Sequence, residues 1–381
     1  MINIDDFKKK TAIVILAYAD YESLELALAT HSRFSVNKGV PIYILQNGRG
    51  SYDCERTYEV AKRYSYLFPR SIFVVDDIKP DLPYRSIKKL LSSKRLTSFE
   101  YIIKLDDDVM VLTDDWIDKL CKCYIDGKEK FNERFVYATP LINNNPYGFK
   151  KIIDNSEELA SDYFSNVAID HLIGGHADDN YSPYRVVMKN EIYGGGNGTI
   201  WRYGFIARWL HRKTTLNPDS YIKLSEKLGY ELVDSKERYS INCILFEKNI
   251  WDRIDNGRES DEHMFHVYCL ENQGMIQADL SIPMIHLSFF IQRNELRDMM
   301  DEIRSAYTDF LGLKFPISIC SNRLIEIENR LRFMEKNKVK IIQEVKPKKK
   351  GSIFSRLYRC YKDNGFLYTI HHIVERIFGF N

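Results

Sequence analysis

Four apolar segments, each separated from the next by a helix-patterned stretch, open the chain and confine it to one fold class. Residues 11–18, "TAIVILAY", are continuous, β-branched and ended by polar residues, the pattern of a strand buried on both faces. "VPIYILQNG" (40–48) repeats it and stops at Asn47-Gly48, a strong turn signal. "SIFVVDD" (71–77) and "YIIKLDDD" (101–108) follow. Residues 21–36, 52–68 and 84–97 between them suit helices. The order β-α-β-α-β-α-β predicts an α/β protein with a mostly parallel central sheet and helices on both faces.

That fold class gives the acidic strand ends a meaning. In open α/β sheets ligands bind beyond the carboxyl ends of the strands. Here those ends carry Tyr18 to Asp20, Gln46-Asn47, Asp76-Asp77 and Asp106 to Asp108. Three adjacent carboxylates repel one another and are costly to desolvate. A divalent cation, which takes hard oxygen ligands, offsets that repulsion. The other reading is that the three aspartates cap a helix over 113–122, but Thr113 and Asp114 already serve there.

Composition narrows the function classes. With 55 Lys and Arg against 53 Asp and Glu, the net charge of +2 does not suit a general polyanion binder. The seven cysteines form no C-x-x-C pair and suggest neither a zinc ribbon nor a disulfide framework, so they read as reduced thiols. "KKKTAIVILAYAD" looks like a leader peptide, but Asp5 and Asp6 precede the lysines and the apolar run is short, so a first strand fits better. No apolar run reaches the length of about 18 residues needed to span a membrane.

The middle of the chain is less regular. "TPLINNNPYGF" (139–149) reads as strand then loop. "EIYGGGNGTIWRYGF" (191–205) holds Gly194, Gly195, Gly196 and Gly198 without the G-K-[ST] of a phosphate loop, and such glycines let backbone pass close to a ligand. Residues 320–345 have helical apolar spacing. Beyond Lys346, Lys348, Lys349 and Lys350 come two amphipathic, aromatic-rich stretches, the pattern of an interfacial membrane anchor. Docking of these helices on the core or on a second subunit is the competing reading.

"AIVILAYAD", "YILQNG", "LDDDV" and "SDEHMF" followed by "NQGMIQADLSIPMIHLSF" occur in an order that resembles a GT-A fold glycosyltransferase, most like the inverting family 2 group. The likeness spans roughly residues 10–295. It implies a Rossmann-like GT-A domain over 1–300, a helical extension over 301–345 and the basic tail over 346–381. It implies transfer of a sugar from a nucleotide-sugar donor to a hydroxyl of a glycan or lipid-linked acceptor, with manganese or magnesium as cofactor. By this resemblance Asp108 is the metal ligand, Asp106 contacts the ribose or the metal through water, and His286 is the remote metal ligand. Ala17, Tyr18, Asp20, Asn47, Asp77 and Asp107 fall in the donor-binding positions, and Gly195 and Gly196, with Trp201 and Arg202, shape the sugar and acceptor side. Glu262 is the expected general base, with Asp261 beside it.

The chain departs from the family pattern in places. "KPDLPYRSIKKLLSSKRL" replaces the usual Gly-rich stretch before the D-x-D strand, the acidic pair is Asp261-Glu262 rather than Glu-Asp, and no Q-x-x-R-W motif argues for a processive synthase. The resemblance places the protein in surface-polysaccharide assembly, on the cytoplasmic face of the plasma membrane. The alternatives are a sugar-1-phosphate nucleotidyltransferase, whose Gly-rich N-terminal loop "ILAYADYESLE" lacks, and a non-catalytic membrane-tethered module of the same fold.

Overall fold

The structure is a computed structural model that describes residues 3–167, 204–233, 241–254, 260–287 and 293–313, together with 329, 332 and 333. The chain divides into two compact units, Met1–Ser321 and Asn322–Asn381, and nearly all of the second lies outside the described residues.

A short helix α1 (Ile4–Lys9) leads into β1 (Thr11–Ala17), α2 (Tyr21–Phe34), β2 (Ile42–Gln46), α3 (Tyr52–Leu67), β3 (Ile72–Val75), α4 (Pro83–Leu91) and β4 (Tyr101–Asp106). These strands pair in parallel in the order β3-β2-β1-β4. β1 is buried at nearly every position, as expected of a strand covered on both faces. α2 and α3 start on Asp20 and Ser51, whose side chains accept from Ser23 and Cys54 N–H groups.

Beyond β4 the chain crosses the sheet. β5 (Val109–Val111) starts three residues after β4 ends, yet pairs antiparallel with the last residues of β9 (Met275–His286). Helix α5 (Trp116–Phe131), strand β6 (Phe135–Ile142) and helices α6 (Pro146–Asp154) and α7 (Glu157–Asp162) follow. Next come α8 (Gly204–Lys213), α9 (Pro218–Ser225), β7 (Tyr230–Val233), β8 (Cys243–Glu247), α10 (Ile250–Ile254) and α11 (Asp261–Asn272), and after β9 the helix α12 (Arg293–Phe310). β8 lies antiparallel between β4 and β6, β6 runs parallel to β9, and β7 pairs antiparallel with β9. The sheet has nine strands in the order β3-β2-β1-β4-β8-β6-β9-β5, with β7 on β9. The strands β1, β2, β3, β4, β6 and β9 share one direction, so Ala17, Gln46, Asp106, Ile142 and His286 end at one rim.

Two differences from the sequence reading have clear causes. Residues 146–149 are the start of α6 and not loop, because Asn145 accepts from the Gly148 N–H and Pro146 sits at the first helical position. The boundary expected at 300 falls inside α12, which buries Leu296, Met299, Ile303 and Tyr307 and pairs Arg304 with Glu22 at 2.6 Å. Cys54, Cys121, Cys123, Cys243 and Cys269 are buried free thiols. Among the described residues no helix is long and apolar enough to cross a membrane.

The turn into α6 allows no side chain at Gly148, where a Cβ would lie 1.8 Å from the Ile142 carbonyl oxygen. A backbone oxygen in a buried strand end cannot swing aside, so Gly148→Ala is expected to cost about 3 kcal/mol or more in urea unfolding. Because Asn143 and Asn144 in this turn also hold a site histidine, described below, the variant is expected to loosen the site as well.

A candidate metal and donor site at the carboxyl rim

Residues alternate faces along a strand, so Lys104 and Asp106 of β4 project from the same face. The chain then turns at Asp107 and Asp108 before entering β5. β5 pairs Val109 with His286, which brings the last residue of β9 beside that turn. The Leu287 N–H donates to the Asp108 carbonyl at 3.0 Å and closes the junction.

Three side chains converge there. Oxygen and nitrogen atoms of Asp106, Asp108 and His286 lie within 4.8 Å of one another. His286 Nε2 is 3.3 Å from Asp108 Oδ2, and the two residues are 3% and 7% exposed. The His286 backbone N–H donates to Asn143 Oδ1 at 2.9 Å, and its Nδ1 lies 3.2 Å from the Asn144 carbonyl. A carbonyl oxygen can only accept, so Nδ1 carries a proton and donates it. That contact fixes the ring and aims Nε2 at the carboxylates, the outer support expected of a metal-ligating histidine. Burial works against a charge on this imidazole, but the neighbouring Asp108 outweighs it and raises its pKa.

The donor set fits a hard divalent cation. The two carboxylates suit manganese or magnesium, and the imidazole is a ligand that zinc or iron would also take. Adjacent ligands on an octahedral ion stand about 3 Å apart, close to the 3.3 Å between Asp108 and His286. Manganese is therefore expected to raise the melting temperature, by a free energy of about 2.7 kcal/mol at a hundredfold excess over its Kd. Differential scanning calorimetry with manganese, then with excess EDTA, checks it. An unchanged melting temperature would contradict the metal assignment.

The other expected residues divide into two groups. Asp107 sits at the turn, its Oδ2 accepting from the Tyr18 N–H at 3.0 Å, which ties the loop after β1 to the acidic turn. Burial first, and then the charges of Asp108 and Asp20, push the Asp107 carboxyl well above the usual carboxylate range. Tyr18 is 60% exposed on this rim, and Ala17 is buried beneath it with its carbonyl accepting from the Asn47 N–H at 2.7 Å. Asp20 caps α2 through the Ser23 N–H. Asn47 donates to the Asp81 carbonyl and accepts from the Asp81 N–H and the Ser86 hydroxyl, so its amide holds the loop before α4. Asp77 pairs with Arg95 at 3.0 Å and stays mostly exposed. Gly195, Gly196, Trp201 and Arg202 lie outside the described residues.

Asp261 and Glu262 open α11, whose cap Ser260 accepts from the His263 N–H. Asp261 Oδ1 accepts from the Glu262 N–H at 3.0 Å, and its Oδ2 lies 3.4 Å from Lys104 Nζ. Lys104 in turn lies 2.7 Å from Asp106 Oδ1. Burial opposes the Lys104 charge, yet Asp106 and Asp261 together hold its ammonium above the ordinary lysine value.

Sequence reasoning missed Lys104 and Asn242. Asn242 Nδ2 lies 3.0 Å from Asp106 Oδ2 and 3.2 Å from His286 Nε2, and its carbonyl accepts from the Asp106 N–H at 3.1 Å. A signal for Lys104 was present, since a lysine inside an otherwise apolar strand must find anionic partners when buried. Asn242 had none, because its partners are 136 and 44 residues away.

No family model matches the chain, and no curated protein matches it. Among solved structures the chain is similar to a mannosyltransferase, PcManGT from Pyrobaculum calidifontis, in complex with GDP-Man and Mn2+, at a TM-score of 0.40 and 8% identity over 98% of this chain and 88% of that one. It is also similar to glucosyl-3-phosphoglycerate synthase from Mycobacterium tuberculosis in complex with Mn2+, UDP and glucosyl-3-phosphoglycerate, at a TM-score of 0.35 and 12% identity over 82% and 86%.

Proposed function

We propose that the protein is a metal-dependent glycosyltransferase of the GT-A type that moves a sugar from a nucleotide-sugar donor to an acceptor hydroxyl. The observation that carries this reading is the cluster of half-buried Asp106 with buried Asp108 and His286 at the carboxyl rim, joined through Lys104 to a second acidic element at Asp261-Glu262. One polar cluster then serves two tasks, holding the leaving diphosphate and receiving the acceptor proton.

Asp108 and His286 would hold the cation, with Asp106 beside them. The cation supplies Lewis-acid stabilisation of the departing diphosphate. The ring of Tyr18, exposed next to the Asp107 contact, would cover the base of the nucleotide. Glu262 takes the proton of the acceptor hydroxyl as its oxygen bonds to the anomeric carbon and the bond from that carbon to the diphosphate oxygen breaks. One base and no covalent intermediate suffice for inversion. The test is transfer of a radiolabelled sugar from a panel of nucleotide sugars, with manganese and with EDTA. Turnover confined to the manganese arm supports the reading, and release of pyrophosphate from a nucleoside triphosphate plus sugar phosphate would favour the nucleotidyltransferase alternative instead.

The finer assignment is an acceptor on a lipid carrier, in surface-polysaccharide assembly at the cytoplasmic face of the plasma membrane. Its support is the sequence of the tail, where four lysines precede aromatic-rich amphipathic stretches. Removing residues 346–381 is expected to move the protein from the liposome pellet to the supernatant. A truncated protein that still pellets with anionic liposomes would contradict the anchor.

A further inference from the structure

Lys104 is the most unusual side chain of the sheet. It is 3% exposed, in the middle of a strand whose neighbours are apolar. An ammonium has three protons to donate, and three acceptors surround this one: Asp106 Oδ1 at 2.7 Å, Ile241 O at 3.3 Å and Asp261 Oδ2 at 3.4 Å. They belong to three separated parts of the chain: β4, the residue pair that enters β8, and the first residue of α11. Asp106 lies between Lys104 on one oxygen and Asn242 on the other. An apolar residue would complete the strand at lower cost, since burying a lysine is expensive even when it is paired.

We propose that Lys104 is a positioning residue: held by Asp106 on one side and Asp261 on the other, its ammonium sets the first turn of α11 against the metal-binding carboxylates. The inference rests on the site being the metal site of a transferase. Lys104 acts through its neighbours and touches neither donor nor acceptor. It also keeps a positive charge beside the cation site, which balances Asp106 and Asp261 but opposes cation binding.

Two variants of the full chain test this with manganese alone as the probe. Lys104→Met removes one positive charge from the cluster, so free Mn2+, counted by electron paramagnetic resonance, is expected to show about tenfold tighter binding. In the same variant, hydrogen exchange is expected to rise about tenfold in the peptide covering residues 260–266, with β1 and β2 at native protection. Asp261→Asn removes the other end of the tie and is expected to raise exchange in the same peptide, without the tighter metal binding. Loosening of the whole sheet with weaker metal binding in Lys104→Met would mean that the lysine stabilises the strand in general and positions nothing, and that result overturns the inference. Native exchange at 260–266 in Asp261→Asn overturns it too, and needs no result from Lys104→Met should that variant fail to fold. Wild-type protein that binds no Mn2+ overturns the site reading and this inference with it. Wild-type binding with native exchange in both variants removes the inference alone.

Discussion

Asp108→Ala is expected to lower sugar transfer by about 10^3-fold or more, because a Lewis-acid contact worth several kcal/mol is lost and each 1.4 kcal/mol is tenfold in rate. Asp108 is the carboxylate closest to His286, at 3.3 Å, and it is 7% exposed. It also lies beside Asp107, whose carboxyl is pushed up by burial first and then by the Asp108 charge. Removing Asp108 relieves that repulsion while taking the carboxylate from His286, so the two changes oppose each other and the variant is expected to melt close to the metal-free wild type. Loss of turnover with stability retained separates a functional carboxylate from a helix cap. A variant that keeps more than a tenth of the wild-type rate with manganese would show that the cation, if bound, sits elsewhere.

The second large effect separates Asp261 from Glu262. Asp261 has one oxygen on the Glu262 N–H and the other beside the buried Lys104 ammonium. Both of its oxygens are therefore engaged within the protein. In the proposed mechanism the proton of the acceptor goes to Glu262, the next residue on the same first turn of α11. Glu262→Gln is expected to cut turnover by about 10^3-fold, within the range for a general base, with donor binding unchanged. Asp261→Asn is expected to cost about tenfold, through misplacement of that turn. Steady-state kinetics on both variants, with donor affinity by calorimetry, decides it. The larger turnover loss in Asp261→Asn would exchange the two roles.

How much of this was legible in the sequence depends on how far apart the partners lie. The first four strands are close to the ranges read from periodicity, because continuous β-branched runs bounded by polar residues leave little alternative. The acidic turn at the end of β4 was equally legible, since carboxyl ends of parallel strands meet at one rim. His286 came from resemblance alone. It reaches Asp108 only because β5 leaves β4 and pairs with the far end of β9, and no local pattern in "DDDVMVL" shows that crossing. The start of α6 reads as loop in the sequence although Asn145 and Pro146 are start signals, because three consecutive asparagines resemble a turn. Asn47 falls at a donor-binding position by resemblance, and the structure adds that its amide holds the loop at Asp81. Lys104 makes its tie to Asp261 across 157 residues of sequence, beyond any periodicity argument.

The most direct measurement of the central claim is a calorimetric titration of nucleotide sugars into the full chain, with and without manganese, repeated on Asp108→Ala. The account predicts that one nucleotide sugar binds only with manganese and that the substitution abolishes this binding. Equal binding with and without the metal, or binding that survives Asp108→Ala, would contradict it.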